Sequence, residues 1–252
     1  MKAETPIPTA AGRFPQFPVL HYHHVHNDEE SFFRVTTEVL RSQLELLLAE
    51  GYTPLHPSRL TELKGGPRLG ERYVLVTVDD AYENFLTHAW PVLKSLQIPT
   101  LLFVVSDYIG GWNDWDGIRL SRHRHLDLDQ LRLLQEEGVV IGSHSRTHPI
   151  LPLLDDDALL NEIQGSRVIL EELLGRPVNT FAYPGGHVDR RIWELTSRHY
   201  DLAFATDSEH TGPFCDPFAI PRLDPSFFWD PADFKAELAA HTGLQEMKAH
   251  EF

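Results

Sequence analysis

The chain has 252 residues, 42% hydrophobic and 23% charged, which suits one large α/β domain or two small ones with a substantial core. A formal net charge of −15 argues against nucleic acid and anionic membrane surfaces as partners. The single cysteine, Cys215, excludes an intrachain disulfide framework, and no run approaches the length of about 18 apolar residues that a membrane span needs.

The N-terminal Met1-Lys-Ala-Glu-Thr-Pro-Ile-Pro carries no apolar signal segment, so a cytoplasmic location is expected, although a secreted form trimmed of its signal would read the same way. The first strand candidate is Pro18–Val25, which holds His21, Tyr22, His23 and His24. Leu40, Leu44, Leu47 and Leu48 then share one helical face behind the capping candidates Thr36 and Thr37. Gly65–Gly70 reads as a loop, and Tyr73–Val78 as a strand buried on both faces. Thr100–Ser106 is the next strand. The long Ile109–His125 stretch, rich in Gly, Trp, Asp and Arg, suits a lid or substrate-binding loop. Val139–Ser143 is a further strand. Leu159, Ile163, Leu170 and Leu174 form a helical stripe behind Asp155-Asp156-Asp157, and Gly175-Arg176-Pro177 stops it. Asn179–Tyr183 and Leu202–Thr206 complete six strands. Their alternation with helices implies a parallel sheet covered by helices, open or closed into a barrel. With no repeat, long linker or low-complexity tract, one domain over residues 1–252 is the simplest organisation.

Chemistry-bearing residues collect at strand ends. Tyr73–Val78 runs straight into Asp79-Asp80, and adjacent carboxylates repel unless a metal ion or a proton sits on one of them. Val139–Ser143 runs into His144-Ser145-Arg146-Thr147-His148. In parallel α/β folds the C-terminal ends of strands are where reactive groups gather. The His144/His148 spacing alone says little, because among 15 histidines roughly one such pair arises by chance. Ser145 stands where a zincin needs Glu, so that motif is rejected. Asp79 and Asp80 also suit a helix cap with a first-turn acid, and His144 and His148 suit capping or core roles. Two imidazoles and a carboxylate are nevertheless the usual composition of an open catalytic metal site. Of the remaining histidines, His123, between Arg122 and Arg124, and His125, just after Arg124, are expected on the surface.

Thr77-Val78-Asp79-Asp80 resembles the Thr-Phe-Asp-Asp motif of the polysaccharide deacetylases, the NodB-homology domain of carbohydrate esterase family 4. His144-Ser145-Arg146-Thr147-His148 is similar to that family's His-Ser/Thr-x-x-His, and Phe181-Ala182-Tyr183-Pro184-Gly185-Gly186 to its third motif in the Phe-Ala-Tyr-Pro variant. The three occur in the family order over residues 73–186, and Tyr22-His23 resembles the N-terminal Tyr-His element of one subgroup. The resemblance implies a distorted (β/α) barrel of about seven parallel strands, with the motif-bearing core at about residues 17–226. It implies Asp79 as the catalytic base, Asp80, His144 and His148 as metal ligands, and the Gly185 N–H as an oxyanion donor. Most members take the general acid from a Leu-x-His near the C-terminus; this chain has Ile220-Pro221-Arg222-Leu223-Asp224 there, so His23 is the better candidate. The Arg that often opens the family's third motif is Ala182 here, so a charge partner for Asp79 must come from elsewhere; Arg222 is a candidate, an ordinary surface arginine being the alternative. The usual Gly after Asp-Asp is Ala81, and an aromatic of the third motif is Gly185; Trp112, Asn113, Trp115 and Asp116 are candidates to supply the lost sugar-stacking wall.

These expectations combine into a metal-dependent hydrolase that removes the N-acetyl group of an amino-sugar or N-acetylated polysaccharide. The cofactor is a divalent ion, Zn²⁺ first, with Co²⁺, Ni²⁺ and Fe²⁺ as alternatives. The partner is the N-acetylated carbohydrate, with no nucleic acid and no membrane span. Hydrolysis of a non-sugar amide, a non-catalytic sugar-binding module and a non-haem Fe(II) oxygenase are the competing readings.

Overall fold

A computed structural model describes residues 14–15, 17–27, 33–63, 72–116, 122–206 and 214–241. The Gly65–Gly70 loop, residues 117–121 and the side chain of Asp116 lie outside the described set. The chain enters through β1 (Phe14–Pro15), β2 (Val19–Tyr22), β3 (His24–Val25) and β4 (Arg34–Val35), followed by α1 (Thr37–Ala49). Next come β5 (Thr53–Pro54), β6 (Tyr73–Val78), α2 (Trp90–Ser95), β7 (Thr100–Val104), α3 (Leu128–Glu136) and β8 (Val140–Ser143). After them come α4 (Asp156–Leu160), α5 (Ser166–Leu174), β9 (Thr180–Ala182), α6 (Arg190–His199), β10 (Leu202–Phe204), β11 (Phe214–Cys215) and α7 (Pro231–His241). The main sheet has seven strands in the order β10-β9-β8-β7-β6-β2, with β5 also on β6, and every pairing in it is parallel. It curls into a half-barrel.

Alternation along the strands splits the core into two layers. Val19, Leu75, Leu101, Phe103, Leu202 and Phe204 pack together inside the curl, over a floor that includes Phe14, Phe17 and Leu60. Leu20, Val74, Val76, Val78, Leu102 and Val104 face outward against Leu40 and Leu44 of α1 and Leu170 of α5. Both sets are apolar because both faces of a parallel sheet are covered. This is why β6 reads as an uninterrupted run rather than an alternating one.

The unpaired edges of the curl, β2 and β10, are joined by one extended segment. Ile220 exchanges backbone hydrogen bonds with Ala203 and Ala205 beside β10, while Leu223 bonds to Val19 and His21 on β2. Bridges Phe204↔Ile220 and Leu20↔Leu223 close the ring and carry Arg222 into its interior. Edge strands need such a cover, and Pro221, lacking an N–H, is tolerated between the two pairing residues.

The expected strand over Pro18–Val25 is interrupted at His23, with β2 in the main sheet and β3 pairing with β4 instead. The short β1–β11 and β3–β4 pairs are too brief for any alternation to reveal. The stripe Leu159, Ile163, Leu170 and Leu174 is buried, Asp155 caps the helix by accepting from the Ala158 N–H, and Gly175 ends it at φ 68°. A π-turn over Asn161–Gly165 joins α4 to α5.

Gly142 of β8 sets the clearance inside the curl. A Cβ there would lie 2.5 Å from the Phe103 ring and 2.7 Å from Thr180 Oγ1. Gly142→Ala is therefore expected to lose about 1–3 kcal/mol of stability through overpacking, read as a lower urea midpoint with an unchanged slope. A midpoint equal to wild type would show that the interior has slack.

Candidate active site

The C-terminal ends of the curled strands bring the sequence-predicted residues to one rim. Asp79 and Asp80 leave β6, His144 leaves β8 and His148 follows one turn later. His23 sits between β2 and β3, and Gly185 lies in the turn that leaves β9. Arg222 arrives from the closing segment.

Arg222 is completely buried and Asp79 is 2% exposed. Nη1 and Nη2 of Arg222 donate to Oδ1 and Oδ2 of Asp79, both at 2.7 Å, in the bidentate geometry that a planar guanidinium favours. Two further donors are also used: Nε bonds the Ala205 carbonyl at 3.0 Å, and Nη1 reaches Thr77 Oγ1 at 3.2 Å. Below them the guanidinium carbon lies 5.5 Å from the Phe103 ring centroid. Burial alone would raise the Asp79 carboxyl, but the charge of Arg222, with that of His144 and the Arg222 hydrogen bonds, holds it well below the usual carboxylate range. Asp79 is thus an anion at any working pH. His23 Nε2 and His144 Nε2 each lie 3.9 Å from Asp79 Oδ2, so this oxygen faces the rim.

Asp80 turns away from its neighbour because it sits at φ 67°, and Ala81 follows at φ 54°. The positive φ at Ala81 accounts for the Gly found there in the resembling motif. Asp80 Oδ1 then stands 3.7 Å from both His144 Nε2 and His148 Nε2, and the three groups form one cluster able to hold an ion. His144 Nδ1 pairs with the Ala182 carbonyl at 2.8 Å, which requires the proton on Nδ1 and leaves the Nε2 lone pair facing Asp80. Burial pushes His144 down to about 4, and burial followed by repulsion from His144 puts His148 well below the ordinary imidazole value. Two neutral imidazoles and a carboxylate, about 4 Å apart, suit one divalent ion with ligand distances of about 2.0–2.2 Å.

With this geometry in view, residues 66–200, more than half of the chain, match the polysaccharide deacetylase family. The chain belongs to that family. Its members are hydrolases of N-acetyl bonds. A Bacillus subtilis relative, YxkH, is 24% identical over 194 residues, 76% of this chain and 65% of its own length. The poly-beta-1,6-N-acetyl-D-glucosamine N-deacetylase of Staphylococcus epidermidis is 24% identical over 202 residues, 76% of this chain and 68% of its own. IcaB from Ammonifex degensii superposes with a TM-score of 0.75 at 25% identity, covering 90% of this chain and 97% of that one. The chain therefore spans just under two thirds of the Bacillus relative.

Several residues that support the rim were not singled out by sequence reasoning. Glu162 lies in the π-turn and accepts from the N–H groups of Arg146 and Thr147 at 2.8 and 2.9 Å and from Thr147 Oγ1 at 2.7 Å. It clamps the loop between the two histidines, where Ser145 and His148 are held at φ 64° and 58°. Backbone strain of this kind persists only where surrounding contacts over-determine it. The expectation of surface positions for His123 and His125 is corrected: they are 8% and 2% exposed. His125 Nδ1 pairs with the Asp80 carbonyl at 2.7 Å and fixes the strained turn from behind, while His123 packs on His24. The flanking arginines suggested a polar face because their own heads reach outward, Arg124 pairing with Glu83 at 3.5 Å. Trp115 does not present an open wall; it stacks on His148 at 4.7 Å and 19°. Arg122 covers the half-exposed Trp112 ring at 4.9 Å, and Asn113 is buried with Oδ1 accepting from the His123 N–H.

Arg222→Met removes the partner of a buried anion and is expected to cost about 3–5 kcal/mol. In wild type the lowered carboxyl contributes stability above its ordinary value of 3.8, lost only as pH falls through the folded value. Without Arg222 burial dominates, so the Asp79 titration, followed by carboxyl NMR, moves above 3.8. A carboxyl still titrating below that value would contradict the assignment. Glu162→Ala is expected to weaken zinc binding about 10–100-fold with its three direct partners intact; unchanged affinity in a zinc titration would show that the loop holds itself.

Proposed function

We propose that this protein hydrolyses the N-acetyl group of amino-sugar units in an N-acetylated polysaccharide, β-1,6-linked N-acetylglucosamine polymers being the class that the name of its staphylococcal relative indicates. The observation that carries this reading is the pair of adjacent carboxylates with separate partners, Asp79 on Arg222 and Asp80 beside two neutral histidines. Asp80, His144 and His148 would hold the divalent ion, Zn²⁺ first, with Co²⁺, Ni²⁺ and Fe²⁺ compatible with the same donors. When bound, such an ion polarises the acetyl carbonyl and acidifies a water molecule.

The chain's own groups then divide the proton traffic. Asp79, ionised and fixed by the guanidinium fork, accepts a proton from the attacking water as its oxygen bonds to the acetyl carbon. The Gly185 N–H donates to the oxygen on which negative charge develops. Gly185 occupies φ 62°, a conformation that presents the turn backbone without a side chain. His23, across from Asp79 Oδ2, gives its proton to the amine nitrogen as the C–N bond breaks. Acetate leaves, and the polymer unit carries a free amine. Arg222 positions Asp79 and does not itself touch the reacting atoms.

The test is acetate release from N-acetylglucosamine oligomers by zinc-loaded protein. Asp79→Asn should retain zinc and lose most turnover; if it loses zinc while Asp80→Asn keeps it, the two carboxylates have exchanged roles. His23→Ala should keep zinc, lose about 10²–10⁴-fold in amide turnover and recover with added imidazole. Hydrolysis of 4-nitrophenyl acetate, whose leaving group needs no proton, should fall far less. Equal losses on both substrates would remove His23 from proton donation.

A further inference from the structure

Beside His23 the rim carries aromatic surface that no packing requirement explains. Phe33 is 46% and Phe227 69% exposed. The Phe33 ring lies 5.2 Å from the His23 ring, tilted by 32°, and 5.9 Å from the Phe227 ring at 88°. Phe33 adopts φ 57°, a marked and strained outlier for a bulky side chain. Its carbonyl accepts from the His24 N–H and the adjacent β3–β4 pairing locks the turn, so the ring is held beside His23 rather than left to choose its place. Holding an aromatic in a strained turn only to leave half of it in water is costly unless something covers it. On the opposite flank the tryptophans are already engaged, Trp115 with His148 and Trp112 with Arg122.

We propose that Phe33 and Phe227 form the platform for the substrate's pyranose rings, Phe33 against the sugar bearing the acetamide and Phe227 against its neighbour in the polymer. The proposal rests on His23 being the donor to the departing amine. That nitrogen must come within hydrogen-bond reach of His23, so the sugar attached to it extends over the His23 flank, where these two rings begin. The axial C–H face of a pyranose is apolar and fits an aromatic ring without a polar handle, as phenylalanine supplies. The near-perpendicular rings give two separate faces, and this makes recognition of a second sugar unit a property of Phe227 alone.

The experiment compares wild type, Phe33→Ala and Phe227→Ala by calorimetric titration with N-acetylglucosamine and its oligomers, alongside acetate release from the oligomers and from 4-nitrophenyl acetate. Phe227 is mostly exposed, so its truncation tests the platform with the fold intact. Phe227→Ala should raise the oligomer Kd and KM about tenfold, with kcat, zinc content, monosaccharide binding and ester hydrolysis within about twofold of wild type. Phe33→Ala should weaken monosaccharide and oligomer alike. Unchanged oligomer Kd in Phe227→Ala, or a wild-type protein that binds no amino-sugar oligomer, would overturn the platform. Oligomer binding through Phe227 with no acetate released would instead uphold it and overturn the deacetylase reading.

Discussion

The Arg222–Asp79 ion pair is the constraint on which the rim depends. Two adjacent acids at the end of one strand cannot both point at the same ion without repelling each other, and the structure separates them with a backbone turn. Asp79 stays on the inward side of β6 and meets a fully buried guanidinium, while the positive φ of Asp80 swings its carboxylate toward His144 and His148. A buried pair is costly to desolvate and is weak support for the fold in itself. What it provides is orientation, because the fork leaves the Asp79 carboxylate little freedom to rotate.

That pair in turn depends on how the sheet closes. Arg222 reaches the interior only because residues 220–223 bridge β10 to β2, and its Nε is satisfied by Ala205 at the end of β10. Beneath it lies the apolar layer of Phe103, Phe204 and Leu75, admitted by the missing side chain at Gly142. Burial in the same low-dielectric surroundings pushes His144 down to about 4, so its imidazole is neutral near pH 7 and ready to act as a ligand. Core, closure and site electrostatics are therefore one arrangement seen at three depths.

Much of this was legible in the sequence. Buried parallel strands betray themselves as apolar runs, so all six expected main-sheet strands occur, and motif order over residues 73–186 located the rim. Arg222 could be named as a candidate only through the resemblance, whose motif has a cation where this chain has Ala182; the sequence did not distinguish it from a surface arginine. What stayed hidden depends on contacts between distant segments. Glu162 lies in a helical segment, off its apolar stripe, where a glutamate looks like a solvent-facing residue, and the π-turn aims it at the His144–His148 loop. His125 looked exposed beside Arg124 because burial of a side chain in a loop leaves no periodic trace. The Phe33 turn follows from φ at one residue, which its identity argues against.

The proposed hydrolysis requires water, activated beside Asp79, to attack an acetyl carbon. Its most direct test is turnover of an N-acetylglucosamine oligomer in ¹⁸O-labelled water by zinc-loaded protein under anaerobic conditions, with mass analysis of the acetate. The account predicts one solvent oxygen in each acetate released, turnover independent of dioxygen, and loss of labelled acetate in Asp79→Asn that retains its zinc. Acetate without solvent label, a requirement for dioxygen, or normal labelling in that variant would contradict it.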